Sequence, residues 1–313
     1  MVTRRATHAG SWYTDKGPLL SQQLDGWLAD VPSSITPVAT ASSQAGDVSV
    51  PTPNARAIIG PHAGYSYSGP AAAWAYKTAD WANAKRVFLL FPSHHHYLPG
   101  AATTGCSKYA TPIGDLTIDT ALVKQIQKEW SLEVMERGVD EDEHSSEMHL
   151  PYIYKMLSLK NTTFQADSTS VPLIPIMVGN TDARAEAHYG SLLAPYLSDP
   201  TNVFVISSDF CHWGSRFRYT YYQTPDSSSG ISLKSNSKVS HNFPIHESIA
   251  AVDKESMDAV EAGEPSGLLA AAEGYGEYKE GKGRFKFIRY ERSSLVEDVR
   301  DSSVSYASAF AVL

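Results

Sequence analysis

A short apolar run near residue 205 constrains the fold more than any other feature of the sequence. Val203–Ile206 is apolar and mostly β-branched, which is typical of a strand buried on both faces, as in a parallel sheet. In open α/β sheets the ligand crevice lies beyond the carboxyl ends of the strands. The polar residues that follow, including Asp209 and His212, are therefore predicted to act on one bound species. The alternative is that Ser208 or Asp209 caps a following helix and that His212 packs against Trp213.

Two further apolar runs lead into loops that contain histidine. Ala57–Ile59 is followed by G-P-H-A-G, which places His62 beyond a strand end, and Arg86–Phe91 is followed by P-S-H-H-H, which places His94 likewise. Helical spacing of apolar residues predicts helices at 18–28, 119–130, 182–197 and 244–262. Strands that alternate with helices predict an α/β fold, with a single domain and a mainly parallel or mixed central sheet flanked by helices.

The carboxyl ends of neighbouring parallel strands meet at one edge of a sheet, so His62, His94 and Asp209 are predicted to lie together. Two imidazoles and a carboxylate with open coordination positions form the ligand set of non-haem Fe(II) oxygenases. We interpret the three residues as one metal site, with Asp209 as the candidate third ligand. His212 then acts beside the metal as an acid or base, together with Asp209. The alternative for each histidine is a hydrogen-bonded loop residue.

Three more residues are candidates for the same pocket. His144 either lines the pocket or makes a hydrogen bond with Glu147 at the start of a helix. Cys211 is either a soft ligand or redox thiol, or a small buried side chain. Tyr65 follows His62 in the same loop and is assigned to the pocket.

Histidine-rich motifs elsewhere restrict the chemistry further. If the run His94–His96 stays extended, alternate side chains point to opposite sides, so that at most two of the three rings reach one pocket. His144, Glu147 and His149 lack the H-E-x-x-H spacing of zinc proteases.

The sequence also lacks a Walker loop, a G-x-G-x-x-G stretch and a G-x-S-x-G elbow, which argues against nucleotide binding and serine hydrolysis.

Composition narrows the class of partner. A chain of 313 residues is long enough for one large α/β domain or two small ones, and its net charge of −8 argues against nucleic acid and anionic membranes. We therefore expect a small molecule, dioxygen, a metal or a protein as the partner. The two cysteines are far apart in sequence and are predicted to be unpaired. Without a signal-peptide pattern or a long apolar segment, we expect a cytoplasmic or nuclear protein.

Two polar segments interrupt the pattern of strands and helices. Residues 32–54 and 223–241 are rich in small polar residues, lack an apolar period, and are predicted to be solvated loop insertions in a single domain that spans 1–313. The first of them is expected to be poorly ordered. Neither segment supplies a residue to the predicted site.

Six motifs, in order along nearly the whole chain, resemble those of the Memo family, named for mediator of ErbB2-driven cell motility. They are H-A-G-S-W-Y at 8–13, P-H-A-G-Y-x-Y-x-G at 61–69, P-S-H-H at 92–95, E-H-S-x-E-M-H-L-P at 143–151, S-S-D-F-C-H-W-G at 207–214 and D-S-S-V-S-Y-A at 301–307. The resemblance implies a fold like that of class III extradiol dioxygenases. It also implies one iron or copper ion, as Fe(II) or Cu(I)/Cu(II), with redox chemistry that yields reactive oxygen species in signalling.

Site residues follow from the resemblance motif by motif. The family's two metal histidines fall on His62 and His94, while Asp209 and His212 fall on the remaining pocket positions. His212 occupies the place of the acid/base histidine of the dioxygenases. Animal members of the family also bind phosphotyrosine peptides of a growth-factor receptor, so the alternative function is a non-catalytic adaptor that holds such a peptide or a signalling protein in the same pocket.

The resemblance fails at one position. The family's third metal ligand is a cysteine in an N-T-I-C-G stretch near the C-terminus, and this sequence has no such stretch. The chain follows the family pattern to Glu261 and resumes it at Leu268, so we interpret the region between 261 and 268 as a deletion. We expect weaker Cu(I) binding as a result, because a thiolate favours soft Cu(I).

Overall fold

Strands and helices alternate along most of the chain. The structure is a computed structural model that describes residues 2–160, 171–227, 229–237, 239, 242–263 and 283–313. The strands of these residues are β1 Thr3–Arg4, β2 Ser34–Ile35, β3 Val48–Ser49, β4 Ala55–Gly60, β5 Arg86–Pro92, β6 Ala101–Thr104, β7 Lys108–Tyr109, β8 Leu116–Thr117, β9 Glu133–Met135, β10 Leu173–Val178, β11 Asn202–Ser207, β12 His212–Trp213, β13 Tyr221–Tyr222, β14 Ile231–Ser232, β15 Phe285–Arg292 and β16 Ser303–Val312. The helices are α1 Gly17–Asp30, α2 Thr40–Gln44, α3 Tyr65–Thr78, α4 Thr120–Glu129, α5 Arg137–Asp142, α6 His144–Glu147, α7 Leu150–Lys160, α8 Ala183–Ser198 and α9 Ile245–Ala262.

Parallel pairing organises the central sheet, which has nine strands within the described ranges. Eight of them lie in the order β12-β16-β4-β11-β5-β10-β6-β9, and β15 pairs with β16. The pairs β4–β11, β11–β5 and β5–β10 are parallel, whereas β16 is antiparallel to β4 and β6 is antiparallel to β10. The fold is thus the predicted one, an α/β domain with a mixed central sheet flanked by helices.

The strands at the centre of the sheet are buried along nearly their whole length. Every residue of β4 is buried, and so are all residues of β5 except the first and the last. A strand covered on both faces needs apolar side chains at every position, which explains why these segments show continuous apolar runs without alternation. The apolar runs therefore predicted strands of this kind correctly.

The four helices predicted at 18–28, 119–130, 182–197 and 244–262 are confirmed as α1, α4, α8 and α9. Asp119 caps α4, because its carboxylate accepts a hydrogen bond from the backbone N–H of Leu122 at 3.1 Å. Their boundaries agree with the apolar spacing because each helix buries one stripe of side chains against the rest of the domain.

The sequence pattern predicts a loop at the first residues of helix α3, where the structure has a helix from Tyr65 to Thr78. Pro70 interrupts the hydrogen-bond ladder of this helix, and Gly69 weakens its intrinsic propensity. A Cβ atom at Gly69 would lie 2.6 Å from the Trp27 ring, so glycine is required for α1 to pack against α3. Close helix packing therefore outweighs local propensity at this position.

The expectation that residues 32–54 are poorly ordered is wrong. The segment contains α2 and the antiparallel pair of β2 with β3, and it is tied to the domain by hydrogen bonds from the backbone. The N–H of Val38 donates to the carbonyl of Phe287 at 2.7 Å, and the N–H of Thr40 donates to Asp258 at 2.7 Å. Long-range bonds of this kind leave no trace in local periodicity.

Two other predictions concern segments that are only partly described. The described part of 223–241 includes β14, which pairs with β13 in a short antiparallel ladder. Most of the proposed deletion between 261 and 268 lies outside the described residues, which break off after residue 263.

Both cysteines are unpaired, as predicted: Cys106 is buried and Cys211 is half-buried. No helix in the described ranges has the length and apolar character needed to cross a bilayer.

Candidate metal centre

Three adjacent parallel strands deliver the candidate residues to one edge of the sheet. Ser207 of β11 pairs with Gly60 of β4, and Ile206 of β11 pairs with Leu90 of β5. His62, His94 and Asp209 each follow the last residue of their strand by two positions. The strand ends therefore lie side by side, as the sequence pattern predicts.

Three imidazoles form the centre of the site. One ring nitrogen from each of His62, His94 and His144 lies within 4.8 Å of the corresponding atoms of the other two. The ring centroids of His94 and His144 are 4.4 Å apart, and that of His62 is 5.2 Å from His94 and 5.6 Å from His144. We call these three residues the imidazole cluster. The sequence pattern predicts Asp209 as the third ligand, and nothing in this geometry tests that role; His144 is the competing candidate for the same position.

Hydrogen bonds fix the tautomer of His62. Its Nδ1 lies 2.7 Å from the hydroxyl oxygen of Ser207, and that hydroxyl donates its own hydrogen to the carbonyl of Ser145 at 2.9 Å. Ser207 can then only accept from His62, so Nδ1 carries the proton and Nε2 keeps a free lone pair. Burial, together with the neighbouring His94, lowers the pKa of His62 to about 3. The ring is therefore neutral at pH 7, as a metal ligand must be.

A carboxylate orients His94 in a similar way. Nδ1 of His94 lies 2.8 Å from Glu143 Oε1, and the backbone N–H of His94 donates to Oε2 at 2.7 Å. Burial opposes ionisation of Glu143, but hydrogen bonds from His94 and Ser145 outweigh it and lower the pKa of this carboxyl to about 2. An ionised carboxylate only accepts, so Nδ1 donates and Nε2 is left free. Ligating histidines in metal sites almost always have such a partner.

His144 completes the cluster from the first residue of α6. Glu143 caps this helix by accepting from the N–H of Ser145 at 3.0 Å, which leaves the His144 side chain to face the other two imidazoles. The Nδ1 atom of His144 is buried and has no hydrogen-bond partner in the described part of the chain. Burial and the neighbouring His94 lower the pKa of His144 to about 3. The hydrogen bond between His144 and Glu147 that the sequence analysis considered is not made.

The donor set fits a transition-metal ion. A metal–nitrogen bond of about 2.0–2.1 Å places two ligand nitrogens up to about 4 Å apart, so small rotations of these rings would bring all three nitrogens onto one ion. Imidazoles suit zinc, copper, iron and nickel. The buried, unbonded nitrogen of His144 is a further sign that the site is shaped for a ligand that accepts nitrogen lone pairs.

Asp209 lies beside the imidazole cluster and contacts His62 directly. Its Oδ1 accepts the backbone N–H of His62 at 2.8 Å, and its Oδ2 lies 3.9 Å from Nε2 of the same residue. Burial raises the pKa of Asp209 to about 6, although hydrogen bonds from the backbone of His62 and Ala63 oppose the shift. A carboxyl group with this pKa exchanges protons readily near neutral pH. Asp209 does not cap a helix, so that alternative is not realised.

His212 is exposed and lies with its ring 5.1 Å from the ring of Phe217. Trp213 points to the other side and is fully buried in a separate apolar cluster, so the two side chains do not pack together. His212 also affects the pKa of Asp209, which it lowers. Its predicted acid or base role stays a prediction.

A cavity of about 450 Å³ opens next to Asp209 and His212. Phe217 and Tyr219 form an aromatic part of its wall, and Cys211 lies in the wall as well. Burial, and then the charge of Asp253, raise the pKa of Cys211 to about 12, which keeps the thiol protonated at neutral pH. A reactive thiolate at this position is therefore disfavoured.

Tyr65 does not reach the imidazole cluster. It is the first residue of α3 and is buried among aromatic rings, 5.3 Å from the ring of Tyr13 and 5.7 Å from that of Tyr152. Its hydroxyl donates to the carbonyl of Met148 at 2.8 Å. We therefore assign Tyr65 to the core behind the site.

His144 is also contacted by residues near the N-terminus for which the sequence pattern predicts no role. Trp12 stacks on the His144 ring with 4.4 Å between centroids, and His8 lies 6.0 Å from the same ring. Nδ1 of His8 lies 3.0 Å from Glu147, which also accepts from Arg4 at 2.8 Å. His8, Trp12 and Glu147 belong to the H-A-G-S-W-Y and E-H-S-x-E-M-H-L-P motifs, which are the signal that could have pointed to them, whereas Arg4 lies outside both motifs.

The fold and the site together define a class: an α/β protein with an imidazole cluster at the carboxyl ends of adjacent parallel strands. The chain belongs to the Memo family, since the family model described as Memo-like protein matches residues 4–310. It is similar to Protein MEMO1 of Xenopus tropicalis, with 40% identity over 317 residues that cover 100% of this chain and 98% of the relative. Protein MEMO1 of Homo sapiens is 39% identical over 327 residues, with 98% and 97% covered. Protein memo-1 homolog of Caenorhabditis elegans is 37% identical over 326 residues, with 98% and 81% covered.

Proposed function

We propose that this chain is a metal-binding redox protein that holds one iron or copper ion through His62, His94 and His144. The observation that carries the proposal is the geometry of the imidazole cluster, in which one nitrogen of each ring lies within 4.8 Å of the others. Two of the three rings are fixed so that a free Nε2 lone pair remains for a metal. Such an arrangement is costly to leave without a ligand, because buried polar nitrogens normally have partners.

The bound metal would supply electron transfer to dioxygen, and so the reactive oxygen species in signalling and motility that membership of the Memo family suggests. The protein's own side chains orient the ligands and take up or release protons beside them. Ser207 and Glu143 hold the rings of His62 and His94, and the stacked Trp12 shields His144 from solvent. Asp209, with a pKa of about 6, can take up or release a proton next to His62. We place this activity in the cytoplasm or nucleus.

A second candidate is a non-catalytic adaptor, and the cavity beside His212 favours it. The guanidinium of Arg216 lies 4.4 Å from the centre of the Phe217 ring, which forms part of the cavity wall together with Tyr219. An aromatic wall next to a guanidinium is suited to a phosphotyrosine side chain, because arginine binds phosphate and aromatic rings stack on each other. This function needs no metal.

Metal uptake separates the two candidates. The unaltered protein, loaded anaerobically with Fe(II) or Cu(I) and desalted, should retain about one ion per chain in elemental analysis. His62→Ala should bind at least about 10 to 100-fold more weakly, the range known for residues that only support a ligand. His96→Ala is the matched control, because this exposed histidine lies outside the imidazole cluster. If the unaltered protein retains no metal, the redox proposal fails and the adaptor remains.

A further inference from the structure

We propose that His95 is a loading ligand, which captures the metal ion in solvent and passes it to the imidazole cluster. The proposal rests on the proposed function, since it concerns how the same site is filled. It assigns a role to an exposed histidine that lies outside the cluster itself.

The local backbone directs His95 towards the cluster. Residues His94–His96 form a bend instead of an extended strand, so the predicted alternation of their side chains is not realised. The ring of His95 lies 5.9 Å from that of His144 and 6.4 Å from that of His94. His95 therefore neighbours two of the three rings from the solvent side.

Exposure falls stepwise from His95 to the deepest ring. His95 is exposed, the side chain of His94 is 35% exposed, that of His144 is 11% exposed and that of His62 is 4% exposed. An ion that enters this gradient must give up its water before it reaches His62. Transfer of an unliganded ion into a buried site is very costly, so replacement of water by one imidazole at a time is the favourable course.

The ring of His95 is less restrained by hydrogen bonds than the rings of His62 and His94. Ser207 and Glu143 fix the rings of His62 and His94. Within the described residues no hydrogen bond holds the ring of His95. A loading ligand needs this freedom, because it must turn towards the solvent to bind the ion and towards His144 to release it.

Two other residues next to the His144 ring, His8 and Trp12, are not available as loading ligands. His8 lies 6.0 Å from the His144 ring, but its Nδ1 is held by Glu147 at 3.0 Å. Trp12 stacks directly on the His144 ring, and its indole offers no lone pair to a metal ion. Of His8 and His95, whose rings both neighbour His144, only His95 is therefore exposed and not held by a hydrogen bond within the described residues.

Uptake kinetics test the proposal on the full chain. Fe(II) is supplied anaerobically from a coloured chelator, and the loss of colour reports transfer to the protein. His95→Gln should slow the transfer about tenfold, which corresponds to about 1.4 kcal/mol in activation free energy. Its equilibrium affinity should match that of the unaltered protein, because His95 is no ligand in the final site. His96→Gln, the next residue in the same bend, should change neither quantity.

Each other outcome contradicts the loading role. An unchanged rate in His95→Gln overturns this proposal but leaves the metal centre intact. A slower rate in His96→Gln than in His95→Gln places loading elsewhere in the bend. An affinity that falls with the rate makes His95 a ligand of the final site. If the unaltered protein takes up no Fe(II), the metal centre fails and the loading route fails with it.

Discussion

Two glutamates flank His144 and each binds an imidazole, yet they serve different regions of the molecule. Glu143 holds His94, whose side chain is 35% exposed at the mouth of the imidazole cluster. Glu147 is fully buried and holds Arg4 and His8. We call the second group, Arg4, His8, Tyr13, Asp140 and Glu147, the anchoring network.

A carboxylate paired with an imidazole therefore has a different effect in each of the two regions. In the cluster the carboxylate sets the direction of a lone pair, so its loss should mainly weaken a ligand. In the anchoring network Glu147 neutralises Arg4, whose side chain is 0% exposed, so its loss should mainly destabilise the fold. The glutamate that supports metal binding, Glu143, and the glutamate that supports stability, Glu147, are thus about one helical turn apart in sequence.

The largest effect should come from the anchoring network. Glu147→Gln leaves the buried guanidinium of Arg4 with Asp140 as its remaining carboxylate partner. Removal of one partner of a buried ion pair typically costs about 3–5 kcal/mol, and we expect a loss in this range in the free energy of unfolding. Denaturation in urea, followed by tryptophan fluorescence, measures it.

Glu255→Gln is the matched control, because this residue of α9 is exposed. Its effect should stay within about 0.5 kcal/mol, as is usual for surface positions. An equally small effect for Glu147→Gln would remove the distinction between the two regions.

The next effect concerns the imidazole cluster. Glu143→Gln removes the charge that orients His94, and we expect metal affinity to fall about 10 to 100-fold. The loss of stability should be smaller than for Glu147→Gln, because the Glu143 carboxylate is not paired with a buried guanidinium, as that of Glu147 is with Arg4. Anaerobic titration with Fe(II) and urea denaturation, run on both variants, should give opposite rankings. If the same variant lost more of both metal affinity and stability, the two glutamates would not have the separate roles proposed here.

The sequence predicted the parallel centre of the sheet and the meeting of His62, His94 and Asp209, because continuous apolar runs specify buried strands. It did not predict His144 as the third imidazole. The direction of that side chain depends on how α6 packs beside β5, and the short motif at 143–151 carries no periodic signal for such packing. The same limit applies to α3, where contact between Gly69 and Trp27 overrides a weak helix signal.

A smaller effect should appear in acid. His149 is buried behind the site, with its Nδ1 2.7 Å from the hydroxyl of Tyr76, and burial lowers its pKa to about 3. The unfolded chain takes up this proton first, so the stability that neutral His149 provides is complete above about pH 6.5 and is lost as the pH falls towards 3.

His149→Gln should therefore flatten the decline of unfolding free energy between pH 6 and 4 by up to about 1.4 kcal/mol per pH unit. Urea denaturation across this pH range measures the slope, with exposed His188→Gln as the control. A slope equal to that of the unaltered protein would contradict the assignment.

The smallest effect should come from reductant. Cys106 and Cys211 are both unpaired, so a reducing agent has no disulfide to break. The Tm should not change when reductant is added under otherwise identical conditions. A clear drop would show that one of the two thiols is paired in solution.

The identity of the third ligand tests the central claim most directly. Anaerobic Fe(II) titration of His144→Ala and Asp209→Ala, with retained metal measured after desalting, compares the two candidates at one site. We predict that His144→Ala loses metal at least as strongly as His62→Ala, and that Asp209→Ala retains about one ion per chain. Loss of metal in Asp209→Ala, with normal binding in His144→Ala, would contradict the three-imidazole centre.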